Sequence, residues 1–152
     1  FKSLTKILAT PGLRIGFAAG HKDLILKMRG FLPPWSVNPL SAEAAKYYFT
    51  NPERLRKSVD TFICAEKTRI TDSFRKIKQL KIINSRCNFM TIKIQSSKID
   101  ALMLRDLLLR KHKILIRDCS NIFGLSEKYF RISIKKKTEN DLLINALFDI
   151  FL

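Results

Sequence analysis

The chain has 152 residues, of which 46% are hydrophobic and 28% charged, enough apolar content for a packed core in one domain or little more. That excludes a disordered or low-complexity chain, and no apolar run approaches the roughly 18–20 residues of a membrane-spanning helix. The net charge of +16 invites a nucleic-acid reading, but the basic residues are spread along the chain, with one run at Lys135-Lys136-Lys137. Solvated basic faces on an ordinary fold are the better account. Cys64, Cys87 and Cys119 are too few and too far apart for a disulfide framework or a zinc site. The expectation is a soluble, cytoplasmic protein with no metal site and neither nucleic acid nor membrane as partner.

In chain order, residues 1–10 read as a loop or short turn, closed by the bend at Pro11-Gly12. Residues 13–19 predict a short buried strand interrupted by Arg14. Residues 22–28 suit a short helix with His21 at its entry and Gly30 as its stop, and residues 31–39 hold three prolines and Trp35 in an extended loop. Residues 41–49 form an Ala-rich helix with Ser41 as its N-cap. Pro52 then opens a long helix whose apolar stripe runs through Leu55, Val59, Phe62, Ile63, Ile70, Phe74, Ile77 and Leu80.

The rest of the chain alternates. Residues 89–94 set Phe89, Thr91 and Lys93 against Met90, Ile92 and Ile94, the period of a half-buried strand. A helix over 100–110, a strand at 114–116, a strand at 129–134 and a closing helix over 139–152, capped near Thr138 or Asn140, complete an α/β layer. Cys64 falls on the core stripe, Cys119 reads as a buried thiol, Trp35 as a packed loop anchor, and His112 as surface without an acidic neighbour in sequence.

One corner concentrates chemistry. Ser3 and Lys6 are three residues apart, and Arg14 follows eight residues after Lys6, beyond the Pro11-Gly12 bend. A guanidinium gives a phosphate a bidentate fork, a hydroxyl adds a donor, and a lysine beside other cations is a candidate nucleophile. From spacing alone the better reading is a plain loop with an ordinary surface lysine and an arginine paired with some carboxylate.

The string Ser3-Leu4-Thr5-Lys6 with Pro11-Gly12-Leu13-Arg14 and Gly16 resembles the lysine motif of fold-type I, pyridoxal-phosphate-dependent aminotransferases of the histidinol-phosphate branch. The resemblance continues through Pro34-Trp35-Ser36-Val37-Asn38, the stretch from Ile114 to Asn121, Gly124-Leu125, and the stretch from Tyr129 to Ile134. It implies that Lys6 binds pyridoxal 5'-phosphate covalently, that Ser3 and Arg14 hold the cofactor phosphate, and that Arg131 takes the substrate carboxylate. Arg117 is a candidate second anionic contact, and Asn38 either contacts substrate or satisfies backbone groups.

Further implications concern the whole protein. The resemblance implies the C-terminal part of a longer enzyme, with residues 1–50 ending a large cofactor-binding domain and 51–152 forming a small α/β domain. It implies a homodimeric parent acting on a small phosphorylated amino acid. Lys135 after Ile134 and the Arg117-Asp118-Cys119-Ser120-Asn121 stretch lean toward decarboxylation of L-threonine O-3-phosphate, with a histidinol-phosphate-type aminotransferase as the alternative. From another class, the alternative is a non-catalytic fragment or a basic binding module.

Overall fold

The computed structural model describes residues 1–152, apart from the side chains of Arg54 and Ser58. It is an α/β structure divided into two compact units, Phe1–Thr61 and Phe62–Leu152. Among the described residues no helix is long and apolar enough to cross a membrane.

The first unit is built on a minimal hairpin. Strand β1 (Lys2–Ser3) pairs antiparallel with β2 (Gly16–Phe17), and between them lie the single-turn helix α1 (Leu4–Ile7) and a 3-10 turn at Pro11–Leu13. The strand expected over 13–19 is therefore only two residues long. Arg14 takes the left-handed conformation at φ +47°, which ends the turn and prevents an extended run through it. Gly16 is required by proximity, because a Cβ there would lie 2.8 Å from the Lys2 carbonyl oxygen.

Helices α2 (Lys22–Arg29) and α3 (Pro39–Thr50) follow. Leu4, Ile15 and Tyr48 form a small buried cluster with Ile7, Leu8, Leu13, Phe17, Ala45 and Leu55 packed around it. Asn38, rather than Ser41, caps α3: its Oδ1 accepts from Ser41 N at 2.8 Å. Pro39 settles the choice, since proline suits the first helical position. Trp35 departs from its expected role as a packed anchor and is 97% exposed, at φ +62°.

Helix α4 (Pro52–Phe74) begins where the sequence places it but ends six residues before Leu80. Its final turn tightens, with Ile77 N bonding to Phe74 O, and Leu80 opens strand β3 (Leu80–Ile83), which the helical reading absorbed. Cys64, expected in the core, is exposed.

The second unit carries a four-stranded antiparallel sheet in the order β3-β4-β6-β5, with β4 at Phe89–Ile94, β5 at Arg117–Asp118 and β6 at Tyr129–Ser133. The expected strand at 114–116 is displaced to Arg117–Asp118. Helices α5 (Ala101–His112) and α6 (Lys137–Phe151) pack with the end of α4 on one face of the sheet. Ile70 and Phe74, Leu104 and Leu108, and Leu143 and Leu147 meet Met90, Ile92, Ile94, Phe130 and Ile132 there. The period-two alternation thus reports the buried face correctly, and Phe89, Thr91, Lys93, Tyr129 and Arg131 stand on the opposite one. Cys119 is buried, as expected.

Asn140 does not cap α6, which starts at Lys137 behind an N-cap Lys136 that makes no side-chain bond. Buried instead, Asn140 grips the chain after β6: Oδ1 accepts from Lys135 N at 3.1 Å, and Nδ2 donates to Lys135 O and to Glu66 Oε2, both at 2.7 Å. Glu66 in turn takes a two-pronged pair from Arg69 at 2.7 and 3.1 Å, and Arg69 also pairs with Asp141. The Arg69 and Asn140 hydrogen bonds hold the Glu66 carboxyl below the ordinary carboxylate range, outweighing its burial.

A group whose folded pKa lies below its unfolded value stabilises fully above the unfolded value, about 4.3 for Glu, and loses that contribution as pH falls through the folded one. Unfolding free energy therefore drops as pH is lowered from about 5 toward 3. Glu66→Gln lowers stability at neutral pH and flattens this acid limb, so the two unfolding curves converge at low pH in denaturant titrations.

Candidate functional site

The predicted residues fall in both units: Ser3, Lys6, Arg14 and Asn38 in the first, Arg117 and Arg131 in the second. Each group is described within its own unit.

The β1–β2 hairpin brings Ser3 and Arg14 to one open cavity of about 670 Å³, lined also by Lys2, Thr5, Gly16 and Arg29. That volume suits a small ligand. No carboxylate lines it, so its charged groups are all cations. Arg14 Nη1 donates to Pro11 O at 3.2 Å, which uses one of five guanidinium N–H groups and leaves the others for an anion.

Thr5 is the residue that sequence reasoning passed over. Its buried hydroxyl lies 2.8 Å from Ser3 Oγ and accepts from Lys6 Nζ at 3.2 Å. With Thr5 Oγ1 accepting from Lys6 Nζ and donating its O–H to Ser3 Oγ, the Ser3 O–H is left to donate to an incoming anion. Lys6 itself does not line the cavity, but this chain of bonds ties its amine to the wall. The donor set of Ser3, Arg14 and the adjoining amine fits the phosphate and carbonyl ends of pyridoxal phosphate.

The turn presenting Arg14 is held from α3. Ser41, buried at 1% exposure, donates Oγ to Leu13 O at 2.6 Å. Asn38 is nearby in sequence and commits its Oδ1 to the α3 cap, and its Nδ2 donors are available to another partner.

In the second unit, β5 and β6 place Arg117 directly opposite Arg131. Like charges across an antiparallel pair repel, by a few tenths to about 1 kcal/mol. Among the described residues neither arginine forms an ion pair: Arg117 Nη2 donates to Asn121 Oδ1 at 2.8 Å, and the Arg131 guanidinium lies 4.7 Å from the centre of the Phe89 ring. A cavity of about 480 Å³ includes both residues in its lining, with Lys113 and Lys135, and Glu139 is its one carboxylate.

The flanking groups fit this cationic setting. Burial pushes the Asp118 carboxyl up, yet bonds from Ser120 N and Oγ and the charges of Arg105 and Arg117 bring it below its ordinary value. Burial pushes the Cys119 thiol up in spite of the charges of Arg131 and Arg117. His112 has the acidic partner that sequence proximity could not reveal, with Nε2 lying 3.2 Å from Asp149 Oδ2. Among the described residues no group of His, Cys, Asp and Glu could hold a metal ion.

Comparison with known proteins adds the relatives. The family model for aminotransferase class I and II matches residues 1–147. A threonine-phosphate decarboxylase from Salmonella typhimurium is 31% identical over 147 residues, covering 96% of this chain and 39% of the relative. The crystal structure of L-threonine-O-3-phosphate decarboxylase from Porphyromonas gingivalis matches with a TM-score of 0.81 at 29% identity, covering 97% of this chain and 45% of that one. The histidinol-phosphate aminotransferase from Clostridium acetobutylicum matches with a TM-score of 0.86 at 27% identity, covering 97% and 44%. The chain spans less than half the length of each.

Ser41→Ala strands the Leu13 carbonyl and frees the turn that carries Arg14. The expected cost is about 1–2 kcal/mol of stability, read as a lower denaturation midpoint with unchanged slope.

Proposed function

Because the chain belongs to the aminotransferase class I and II family, a family of pyridoxal-phosphate enzymes, we propose that it is the lysine-bearing C-terminal part of a threonine-phosphate decarboxylase. Residues 1–50 would end the cofactor-binding domain and residues 51–152 would make the small domain. The observation that carries the reading is the cavity wall on which Ser3 and Arg14 meet, with Lys6 bonded to it through Thr5.

In this reading Ser3 Oγ and the free N–H groups of Arg14 bind the cofactor phosphate, and Gly16 lets the two strands close enough to align them. Lys6 Nζ would hold the cofactor and then deliver a proton to the carbon that has lost carbon dioxide. The cofactor, when bound, supplies a sink for the electron pair left when a bond at that carbon breaks. Arg131 gives a bidentate fork to the substrate carboxylate, Arg117 meets the substrate phosphate, and Asn38 offers Nδ2. Two separated guanidinium groups suit a substrate with two anionic ends, such as L-threonine O-3-phosphate, and loss of carbon dioxide from it gives (R)-1-aminopropan-2-ol O-2-phosphate for cobalamin biosynthesis. A homodimer is the expected state of the whole enzyme.

The likeness to the Clostridium acetobutylicum protein favours a second reading, an aminotransferase acting on histidinol phosphate. One assay separates the two. The full-length protein containing this chain, loaded with pyridoxal phosphate, should release carbon dioxide from O-phospho-L-threonine, and Lys6→Ala should remove that activity. Amino transfer from histidinol phosphate without carbon dioxide release would favour the second reading and overturn the first. Arg14→Ala should weaken cofactor affinity by at least about tenfold, read by loss of cofactor absorbance on dialysis.

A further inference from the structure

We propose that Phe89 is a positioning residue for the anion-binding guanidinium of Arg131, an inference that rests on the assignment of Arg131 to the substrate carboxylate. Phe89 pairs with Ser133 and Thr91 with Arg131, so Phe89 and Arg131 are diagonal neighbours on the same face of the β4–β6 pair. Aromatic and long side chains reach one another across that diagonal. The Arg131 Cζ lies 4.7 Å from the Phe89 ring centre, within the range of a cation–π contact.

Phe89 is otherwise out of place. The core face of β4 is filled by Met90, Ile92 and Ile94, while Phe89 shares the other face with Thr91 and Lys93. An aromatic ring there adds nothing to the main core. It does give Arg131 something that a carboxylate could not.

A guanidinium facing Arg117 needs a stabilising neighbour. Asp or Glu would supply the charge but would occupy the planar N–H fork and compete with the substrate carboxylate. A ring face attracts the cation through its quadrupole and takes none of the five N–H donors. Among the described residues Arg131 has no ion-pair partner, so the contact with the Phe89 ring leaves its N–H donors uncommitted to a carboxylate.

The test uses the full-length, cofactor-loaded protein with Phe89→Leu, Phe89→Met and Phe89→Tyr. Leu and Met keep apolar bulk without the ring face, so either serves if the other does not fold; Tyr keeps the face. KM for O-phospho-L-threonine should rise about 3- to 30-fold in the first two, with kcat within about twofold, and Tyr should restore the wild-type value. A second readout is independent of catalysis: the rate at which phenylglyoxal modifies Arg131, followed by mass spectrometry of its peptide, should rise in Leu and Met and return in Tyr. Absence of decarboxylation in the wild type would count against the proposed function, and the modification rates would still judge Phe89. Unchanged KM and unchanged modification in a folded Leu or Met variant, or equal losses in Tyr, would overturn the proposal.

Discussion

The short connection from β6 to α6 depends on one buried amide. Asn140 clasps both the N–H and the carbonyl of Lys135, and its second donor proton goes to Glu66 on α4. A buried amide earns its place only when fully partnered, and the Glu66–Arg69 pair completes the set. The consequence reaches the sheet. Arg131, which pairs with Arg117 across β5 and β6, lies four residues before Lys135, so the clasp anchors the chain just beyond the end of the strand that carries it.

The first unit solves the equivalent problem with less core. Its buried cluster centres on Leu4, Ile15 and Tyr48, whereas the second unit buries an apolar layer across a sheet and three helices. Local backbone devices therefore hold the lysine turn: the close strand approach at Gly16, the left-handed Arg14, and the Ser41 hydroxyl on Leu13 O. Each acts within a few ångströms of Ser3, Thr5 or Arg14. A two-residue strand pair is weak by itself, and these contacts limit the ways in which it can slip.

What the sequence made readable follows the same division. The alternation in 89–94 identified that strand and its apolar face, because a two-residue period admits no other regular structure, and 129–134 reads as a strand without a face assigned to it. Strand β3 was hidden because Ile70, Phe74, Ile77 and Leu80 preserve helical spacing beyond the end of the helix, and no Gly or Pro marks the turn. Ser41 was an attractive cap, but Pro39 three residues after Ser36 moved the helix start to Asn38, a competition between two good capping types. At the site, motif spacing pointed to Ser3, Lys6 and Arg14. It could not show that Thr5 bridges Ser3 and Lys6, nor that the Phe89 ring lies against the Arg131 guanidinium, since the second contact joins residues 42 positions apart.

The two cationic centres share a principle that also explains why so basic a chain need not bind nucleic acid. Much of its charge is exposed and screened, as in the Lys46–Glu43 and Arg75–Asp72 pairs, which contribute little. Arg14 and Arg131 differ because among the described residues no acid pairs with either: a backbone carbonyl takes one donor of Arg14, and the Phe89 ring lies beside Arg131. A compact anion suits a few donors of fixed geometry, whereas a polyanion requires a basic track. Under the proposed function, anion binding at Arg14 and Arg131 rests on the lack, among the described residues, of a carboxylate partner at either, and the surplus of lysine elsewhere contributes a general field.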